Sequence, residues 1–103
     1  MIIYEVNLSV DKNIFAEYYE WLLNHVQTML SFNGFLAAEI SEEKTEDNSK
    51  SNVSVRYQIL SEKNLNDYFK NHATAMREDG LNKFGNKFAA TRRVFFNTLI
   101  LKS

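Results

Sequence analysis

The N-terminal stretch alternates apolar and polar residues, the pattern of a strand with one buried face. The apolar positions are Ile2, Tyr4, Val6, Leu8 and Val10. Asp11 then stands where a helix cap is expected. Beyond it apolar residues recur at helical spacing, at Phe15, Tyr19, Leu22, Val26, Met29 and Leu30. The pattern therefore predicts a strand over Ile2–Val10 and a helix that ends near Ser31.

The middle of the chain predicts two strands joined by a long hairpin loop. Asn33 and Gly34 form a turn signal, and Phe35–Ser41 reads as a short strand. Residues 42–52 are polar and charged without any periodicity, so we expect a mobile loop there. Alternation then resumes as the third strand, at Val53, Val55, Tyr57 and Ile59.

A second helix and a last strand complete the pattern. Ser61 and Glu62 are suited to open a helix. Its apolar positions are Leu65, Phe69, Ala73 and Met76, and we expect it to stop by Gly80. Residues 81–90 predict a connection with one helical turn, and Arg92–Leu101 predicts the final strand.

The element order β-α-β-β-α-β is that of the α+β ferredoxin-like sandwich. Right-handed crossovers then give a four-stranded antiparallel sheet with both helices on one face. The chain has 103 residues, which suits one domain over residues 1–103. The second face of the sheet is left without a cover.

That second face is predicted to carry a charge cluster. Regular strands place Ile3, Glu5 and Asn7 there, with Arg56 and Gln58 on the third strand. The last strand adds Arg93, Phe95, Asn97 and Leu99. In the ferredoxin-like order the first strand lies between the third and the last, so Glu5 is expected to reach Arg56 and Arg93.

Two interpretations of this face remain open. An antiparallel sheet can leave one face in water, with weak surface ion pairs. Alternatively, two copies pair sheet to sheet, which the apolar side chains of Ile3, Phe95 and Leu99 favour. On the second interpretation the candidate interface residues are Glu5, Asn7, Arg56 and Phe95. Glu5 with Arg56 or Arg93 would then fix the register of the dimer.

The amino-acid composition limits the kinds of partner that the protein is expected to bind. The formal net charge of −1 disfavours nucleic acid, because phosphate affinity needs a surplus of Lys and Arg. The absence of cysteine excludes disulfides and thiolate-ligated metal sites. No apolar run approaches the roughly 20 residues that span a bilayer, so no membrane partner is expected. The N-terminus reads as a strand and not as a signal peptide, which favours the cytoplasm.

Two histidines are the candidate acid–base groups. His25 follows Trp21 by four residues and shares a helix stripe with Tyr18, at the edge of the predicted helix–sheet interface. A histidine exposed on the helix surface is the alternative. His72 has the same status on the second helix. Two histidines without an evident carboxylate partner do not predict a metal site.

No motif for a nucleotide, a cofactor or a serine nucleophile occurs in the sequence. Arg92 and Arg93 are suited to hold an anion, but neighbours on a strand point to opposite faces, so one at most contacts a ligand. The ligand-binding candidates are His25, Trp21, Tyr18, Tyr57, His72 and Arg93. The RNA-recognition fold shares the topology, but the third strand lacks the exposed aromatic residues that RNA binding needs.

Several short signatures resemble a family of short, uncharacterised bacterial proteins within the dimeric α/β-barrel superfamily. They are Tyr4-Glu5-Val6-Asn7, Trp21-Leu22-Leu23-Asn24-His25, Gly34-Phe35, the Tyr57 strand, Tyr68 with His72-Ala73, Phe84-Gly85-Asn86-Lys87-Phe88 and Arg92-Arg93. The resemblance implies a homodimer in which two sheets face each other. Better-known members of the superfamily include cofactor-free and haem-degrading monooxygenases, lactone isomerases and ligand-sensing domains, usually with a pocket between sheet and helices. A shared fold does not choose among these activities.

Three hypotheses about function follow. The first is a homodimeric module that binds a small ligand between helices and sheet. The second is a small enzyme, either a cofactor-free or haem-dependent monooxygenase or an isomerase. Its polar groups would be His25, Tyr57 or His72, in a pocket lined by Tyr18, Trp21 and Phe69. The third is a purely structural assembly module with a closed core.

Overall fold

Four strands form one antiparallel sheet in the computed structural model, which describes residues 1–103. They are β1 (Ile2–Asp11), β2 (Phe35–Glu43), β3 (Lys50–Ile59) and β4 (Phe88–Phe95). Their order across the sheet is β2-β3-β1-β4, with all neighbours antiparallel. The predicted α+β ferredoxin-like fold is confirmed, including the position of β1 between β3 and β4.

Three helices lie against the inner face of the sheet. They are α1 (Phe15–Met29), α2 (Glu62–Asn71) and α3 (Ala73–Phe84). Short 3₁₀ turns at Lys12–Ile14 and Gly85–Lys87 join α1 to β1 and α3 to β4. The side chain of Ser61 accepts a hydrogen bond from the backbone N–H of Asn64, so it caps α2 as its position predicted.

The buried row of α1 differs from the prediction, because Tyr18 takes the place of Tyr19 and because Phe15 and Leu30 are only half-buried. Tyr18, Leu22, Val26 and Met29 are buried, whereas Tyr19 is half-buried and packs on Phe15. Both tyrosines fit an apolar stripe of period 3.6, and contact with the sheet selects Tyr18. Asp11 does not cap the following turn with its side chain, because its carboxylate pairs with Lys50 of β3 instead.

The loop predicted over residues 42–52 is longer than the loop that the structure shows. β2 continues to Glu43 and β3 begins at Lys50, with Glu43 opposite Asn52, so that residues 44–49 alone connect the strands. β2 is an edge strand, and its far end is exposed. The ends of β2 and β3 pair through backbone hydrogen bonds, which need no apolar side chains. The pattern of apolar residues therefore did not predict these ends.

The predicted second helix is two helices. It breaks at His72, whose backbone leaves the helical region, and resumes as α3. Gly80 does not end α3 but is buried within it, against the ring of Trp21. The helix ends instead at Phe84, and the next residue is Gly85, whose φ of +58° favours glycine.

β4 begins earlier and ends earlier than predicted. It spans Phe88–Phe95, and its ladder stops where Phe95 faces Ile3, because β1 offers few residues beyond that point. Asn97 then adopts a positive φ of 53°. Asn97 and Leu99 therefore lie beyond the strand and not on the second face of the sheet. Leu99 and Leu101 are among the exposed apolar residues of this tail.

Candidate functional site

A cavity of about 320 Å³ separates α1 and α3 from the inner face of the sheet. Nineteen residues line it, and 15 of them are hydrophobic. They come from β1, β3, β4 and all three helices, including Val6, Leu22, Val55 and Met76. The volume lies in the range of sites that bind small molecules. The core of this sandwich is therefore open, which disfavours the closed core that a purely structural module would have.

Aromatic rings form one wall of the cavity. Trp21 stacks on His25 with ring centroids 4.7 Å apart, one helical turn along α1. Tyr18 packs against Phe84 at 4.9 Å and Phe88 at 5.1 Å, which fixes its ring between α3 and β4. Such packed rings hold their positions before any ligand enters.

Three tyrosine hydroxyls in the cavity have no hydrogen-bond partner within the protein. They belong to Tyr18, Tyr57 and Tyr68, whose rings are buried. These hydroxyls are not sealed from solvent, since the one fully buried side-chain atom without a partner is Oδ1 of Asn52. Burial raises the pKa of Tyr68 to about 12 and raises the pKa of Tyr18 and Tyr57 further. All three therefore remain protonated and able to donate a hydrogen bond at neutral pH.

His25 also lines the cavity and is half-buried. Burial lowers its pKa below the ordinary 6.5, the nearby charge of Asp79 opposes the shift, and that of Arg92 adds to it. The imidazole is therefore neutral at pH 7 and can accept a proton. Between the two readings left open by the sequence, this placement favours a residue in contact with the cavity over one confined to the helix surface.

Two arginines reach the cavity. Arg92 on β4 faces Val6 of β1, so its side chain is on the inner face of the sheet. Arg77 on α3 donates a hydrogen bond to the hydroxyl of Tyr4 over 3.4 Å. No Asp or Glu is among the lining residues. The cavity thus combines apolar walls with two positive charges and several neutral polar groups.

The outer face of the sheet holds the predicted charge cluster. Glu5 is only 3% exposed, although it carries a carboxylate. It accepts hydrogen bonds from Arg56 Nη1, Arg93 Nε and Asn7 Nδ2, each at 2.8 Å. The hydrogen bond from Asn7 and then the arginines lower its pKa against the effect of burial. The predicted contacts of Glu5 with Arg56 and Arg93 are present.

Phe95 completes this cluster. Its half-buried ring lies below both guanidinium groups, 5.6 Å from that of Arg56 and 5.1 Å from that of Arg93. Ile3 beside it is buried. The outer face therefore holds a buried anion, two cations and an aromatic ring within a few ångströms.

The chain matches one known family model over residues 1–98, described as "Domain of unknown function (DUF4286)". The chain belongs to this family. No functionally curated protein matches the sequence.

Solved structures share the fold of this DUF4286 protein at low sequence identity. One from Deinococcus radiodurans, classed with the antibiotic biosynthesis monooxygenases, has a TM-score of 0.77 at 14% identity, over 100% of this chain and 98% of its own. The cofactor-independent oxygenase SnoaB from Streptomyces nogalater gives 0.66 at 12% identity, over 99% and 98%. An ethyl tert-butyl ether d (ethd) family protein from Bacillus halodurans gives 0.67 at 16%, over 95% and 100%. These likenesses establish a common fold.

The structure of the DUF4286 chain brings four of the six ligand-binding candidates together, namely Tyr18, Trp21, His25 and Tyr57. Arg93 is not among the cavity residues, because its side chain binds Glu5 on the outer face. His72 is exposed at the junction of α2 and α3, where it stacks on Phe32 at 4.2 Å. Phe69 packs edge-on against Tyr4 and does not line the cavity.

Three polar side chains that line the cavity, Tyr68, Arg77 and Arg92, were not among the six ligand-binding candidates. For Arg92 a signal existed, because it alternates with Ala90 and Val94 on the apolar side of β4. The structure contains no cluster of three or more His, Cys, Asp or Glu side chains suited to a metal ion. None of its helices is long and apolar enough to cross a membrane.

Proposed function

We propose that this protein is a homodimeric binding module that holds a small, largely apolar molecule in the cavity between helices and sheet. The observation that carries the proposal is the 320 Å³ cavity, in which three tyrosine hydroxyls have no partner within the protein. Apolar walls supply binding free energy through burial, at roughly 25 cal/mol for each Å² removed from water. The few polar groups orient the ligand.

The test uses Trp21, the one tryptophan of the chain, whose indole N–H gives a single resonance in a ¹H–¹⁵N spectrum. We expect 2-naphthol, a neutral two-ring molecule with one hydroxyl, to shift that resonance in a saturable way. Ala90→Phe places a ring into the cavity from β4 and should abolish the shift. Ala75→Phe adds the same ring on an exposed position of α3 outside the cavity and should leave the shift unchanged.

Two outcomes would contradict the binding proposal. One is an indole resonance that does not move at any concentration of 2-naphthol. The other is an Ala90→Phe variant that binds as the unmodified protein does, because the ligand would then occupy another place. The amide spectrum of each variant serves as the control for an intact fold.

A cofactor-free oxygenase is the second candidate, and the neutral His25 beside the cavity favours it. Such an imidazole can take a proton from a hydroxyl of a bound aromatic molecule, which prepares that molecule for attack by O₂. The shared fold with SnoaB is compatible with this role. An isomerase would need the same proton transfer without O₂. Oxygen uptake measured with a quinol separates the two activities, and His25→Ala should abolish either.

The outer face supports the homodimer. Glu5 is nearly sequestered, yet its partners Arg56 and Arg93 keep 43% and 64% of their side-chain surface exposed. Apolar side chains are also exposed at the adjoining end of the sheet, among them Leu36, Leu60 and Phe96. A second copy of the chain placed sheet to sheet covers both features. We place this single-domain dimer, residues 1–103, in the cytoplasm.

Analytical ultracentrifugation tests the pairing. We expect a dimer for the unmodified chain and a shift towards monomer for Glu5→Ala and Arg56→Ala, since both remove part of the cluster in the proposed interface. Variants that stay dimeric and as stable as the original protein would show that Glu5 and Arg56 do not set the pairing. A monomeric unmodified chain would contradict the dimer itself.

A further inference from the structure

We infer that the ligand of this cavity is an amphipathic anion, with an apolar body among the aromatic side chains and a carboxylate-like group held by Arg92 and Arg77. The inference rests on the proposed binding function and adds the chemical class of the ligand.

The charged residues that line the cavity are Arg77 and Arg92, and neither forms a salt bridge. Arg56 and Arg93 are different, because both bind the carboxylate of Glu5. Two cations and no acidic residue line this mostly apolar space, which favours a negatively charged group there even though the charge of Asp79 also reaches His25. A planar guanidinium matches a carboxylate through two parallel hydrogen bonds. The cavity therefore has no acidic side chain to pair with these arginines, and an anionic ligand can take that place.

The two arginines approach the cavity from opposite sides, because Arg92 is on β4 and Arg77 is on α3. Both lie close enough to Tyr68 for their charges to oppose the rise in its pKa that burial causes. Arg92 acts in the same way on Tyr18. The guanidinium groups and the protonated phenols all line this one cavity. A carboxylate bound in it can accept hydrogen bonds from both kinds of donor.

The size of the cavity limits the apolar body. A water molecule occupies about 30 Å³ of liquid, so a volume of 320 Å³ corresponds to a ligand of roughly ten to fifteen non-hydrogen atoms. The lining is mostly hydrophobic, with Trp21, Phe88 and Met76 among its side chains. One or two rings, or a short alkyl chain, fit this description. The ligand class is therefore a small aromatic or aliphatic monocarboxylate.

The experiment compares 2-naphthoate with 2-naphthamide, which have the same rings and nearly the same shape but differ in charge. Dissociation constants come from the indole N–H resonance of Trp21 and from calorimetry. We expect naphthoate to bind about tenfold more tightly than naphthamide, in line with a hydrogen-bonded ion pair. Higher salt should weaken the binding of naphthoate and leave the binding of naphthamide unchanged.

Arginine variants locate the anion. Arg92→Gln should raise the dissociation constant of naphthoate about tenfold and change that of naphthamide less than about twofold. Arg77→Gln should act in the same direction and serves as the second variant if Arg92→Gln lowers stability. Lys87→Gln removes a positive charge from an exposed position outside the cavity, and it should leave both constants unchanged.

The outcomes separate the inference from the proposed function. Equal affinity for the two ligands, with binding still blocked in Ala90→Phe, overturns the anion inference and leaves the binding function standing. A preference for naphthoate that neither Arg92→Gln nor Arg77→Gln reduces also overturns it, since the charge would be held elsewhere. Failure of naphthoate, naphthamide and 2-naphthol alike contradicts the binding function and the inference together.

Discussion

On the outer face of the sheet, Arg56 and Arg93 share the buried carboxylate of Glu5, whereas on the inner face Arg92 reaches a cavity without an acidic residue. Arg92 and Arg93 are neighbours on the same strand and have the same chemistry. The pleat of the strand sends one to each face. Charge that is paired within the protein stabilises the sheet, whereas an arginine without a salt-bridge partner beside apolar walls is suited to a ligand.

Polar side chains differ between the faces in the same way. On the outer face Ser54, Asn7 and Glu5 form a continuous chain of hydrogen bonds that ends at the arginines. On the inner face the hydroxyls of Tyr18 and Tyr57 have no partner within the protein. A network of satisfied groups resists change, because each member depends on the others. Unpartnered groups can be altered at little cost to the fold.

The largest effect is expected from breaking the outer network at its centre. Glu5→Gln removes a buried negative charge and leaves Arg56 and Arg93 to repel each other. We expect a loss of about 2–3 kcal/mol in the free energy of unfolding at neutral pH, measured with urea. Glu39→Gln is the matched control, because Glu39 is exposed on the same face opposite Arg56 and forms no ion pair. It should cost less than about 0.5 kcal/mol.

The pH dependence sharpens this test. Glu5 has a pKa below its ordinary 4.5 in the folded protein, so it adds stability above that pH and loses it as the pH falls through the folded value. The gap between the original protein and Glu5→Gln should therefore narrow below pH 4.5. A gap that stays constant down to pH 3 would mean that the charge of Glu5 is not what stabilises the sheet.

Alternation was enough to predict the outer face from the sequence. Once β1 was placed between β3 and β4, the period of two determined that Glu5, Arg56 and Arg93 share a face. The ends of the strands were harder, because residues such as Glu43 and Lys50 pair through the backbone and carry no apolar signal. The tail after Phe95 was misjudged for the opposite reason, because Leu99 and Leu101 alternate without a strand to pair with.

The cavity on the inner face was harder to predict from the sequence. Tyr18, Trp21 and His25 could be found because they form one stripe on α1. The approach of α3 depends on Gly80, which lets the helix contact the ring of Trp21 and which the sequence suggested as a helix end. The break at His72 also divides the predicted second helix, so helical spacing along α2 does not extend to Arg77 on α3. The cavity arises from these tertiary contacts.

A smaller effect is expected from the histidine of the inner face. Burial lowers the pKa of His25 below 6.5, so the unfolded chain binds its proton more readily, and stability should fall as the pH drops through the region just below 6.5. His25→Gln should remove this part of the slope, less than about 1 kcal/mol in urea titrations at several pH values. His72→Gln controls for the loss of a histidine outside the cavity and should keep the slope. A slope unchanged in His25→Gln would assign it to other groups.

The smallest effect is expected from Tyr57→Phe, which we compare with Ser54→Ala on the same strand, β3. Ser54→Ala removes the hydroxyl that donates to Asn7 on the outer face, and it should cost about 1 kcal/mol. Tyr57→Phe removes a hydroxyl that has no partner on the inner face but keeps the ring that packs on Tyr4 and Phe35. Its stability should stay within about 0.5 kcal/mol of the original, because no hydrogen bond within the protein is lost. The same variant should weaken the binding of 2-naphthol, since Tyr57 lines the cavity. Tyr57→Phe could instead destabilise the free protein as much as Ser54→Ala. That result would contradict the view that polar groups are hydrogen-bonded within the protein on the outer face and left without partners on the inner face.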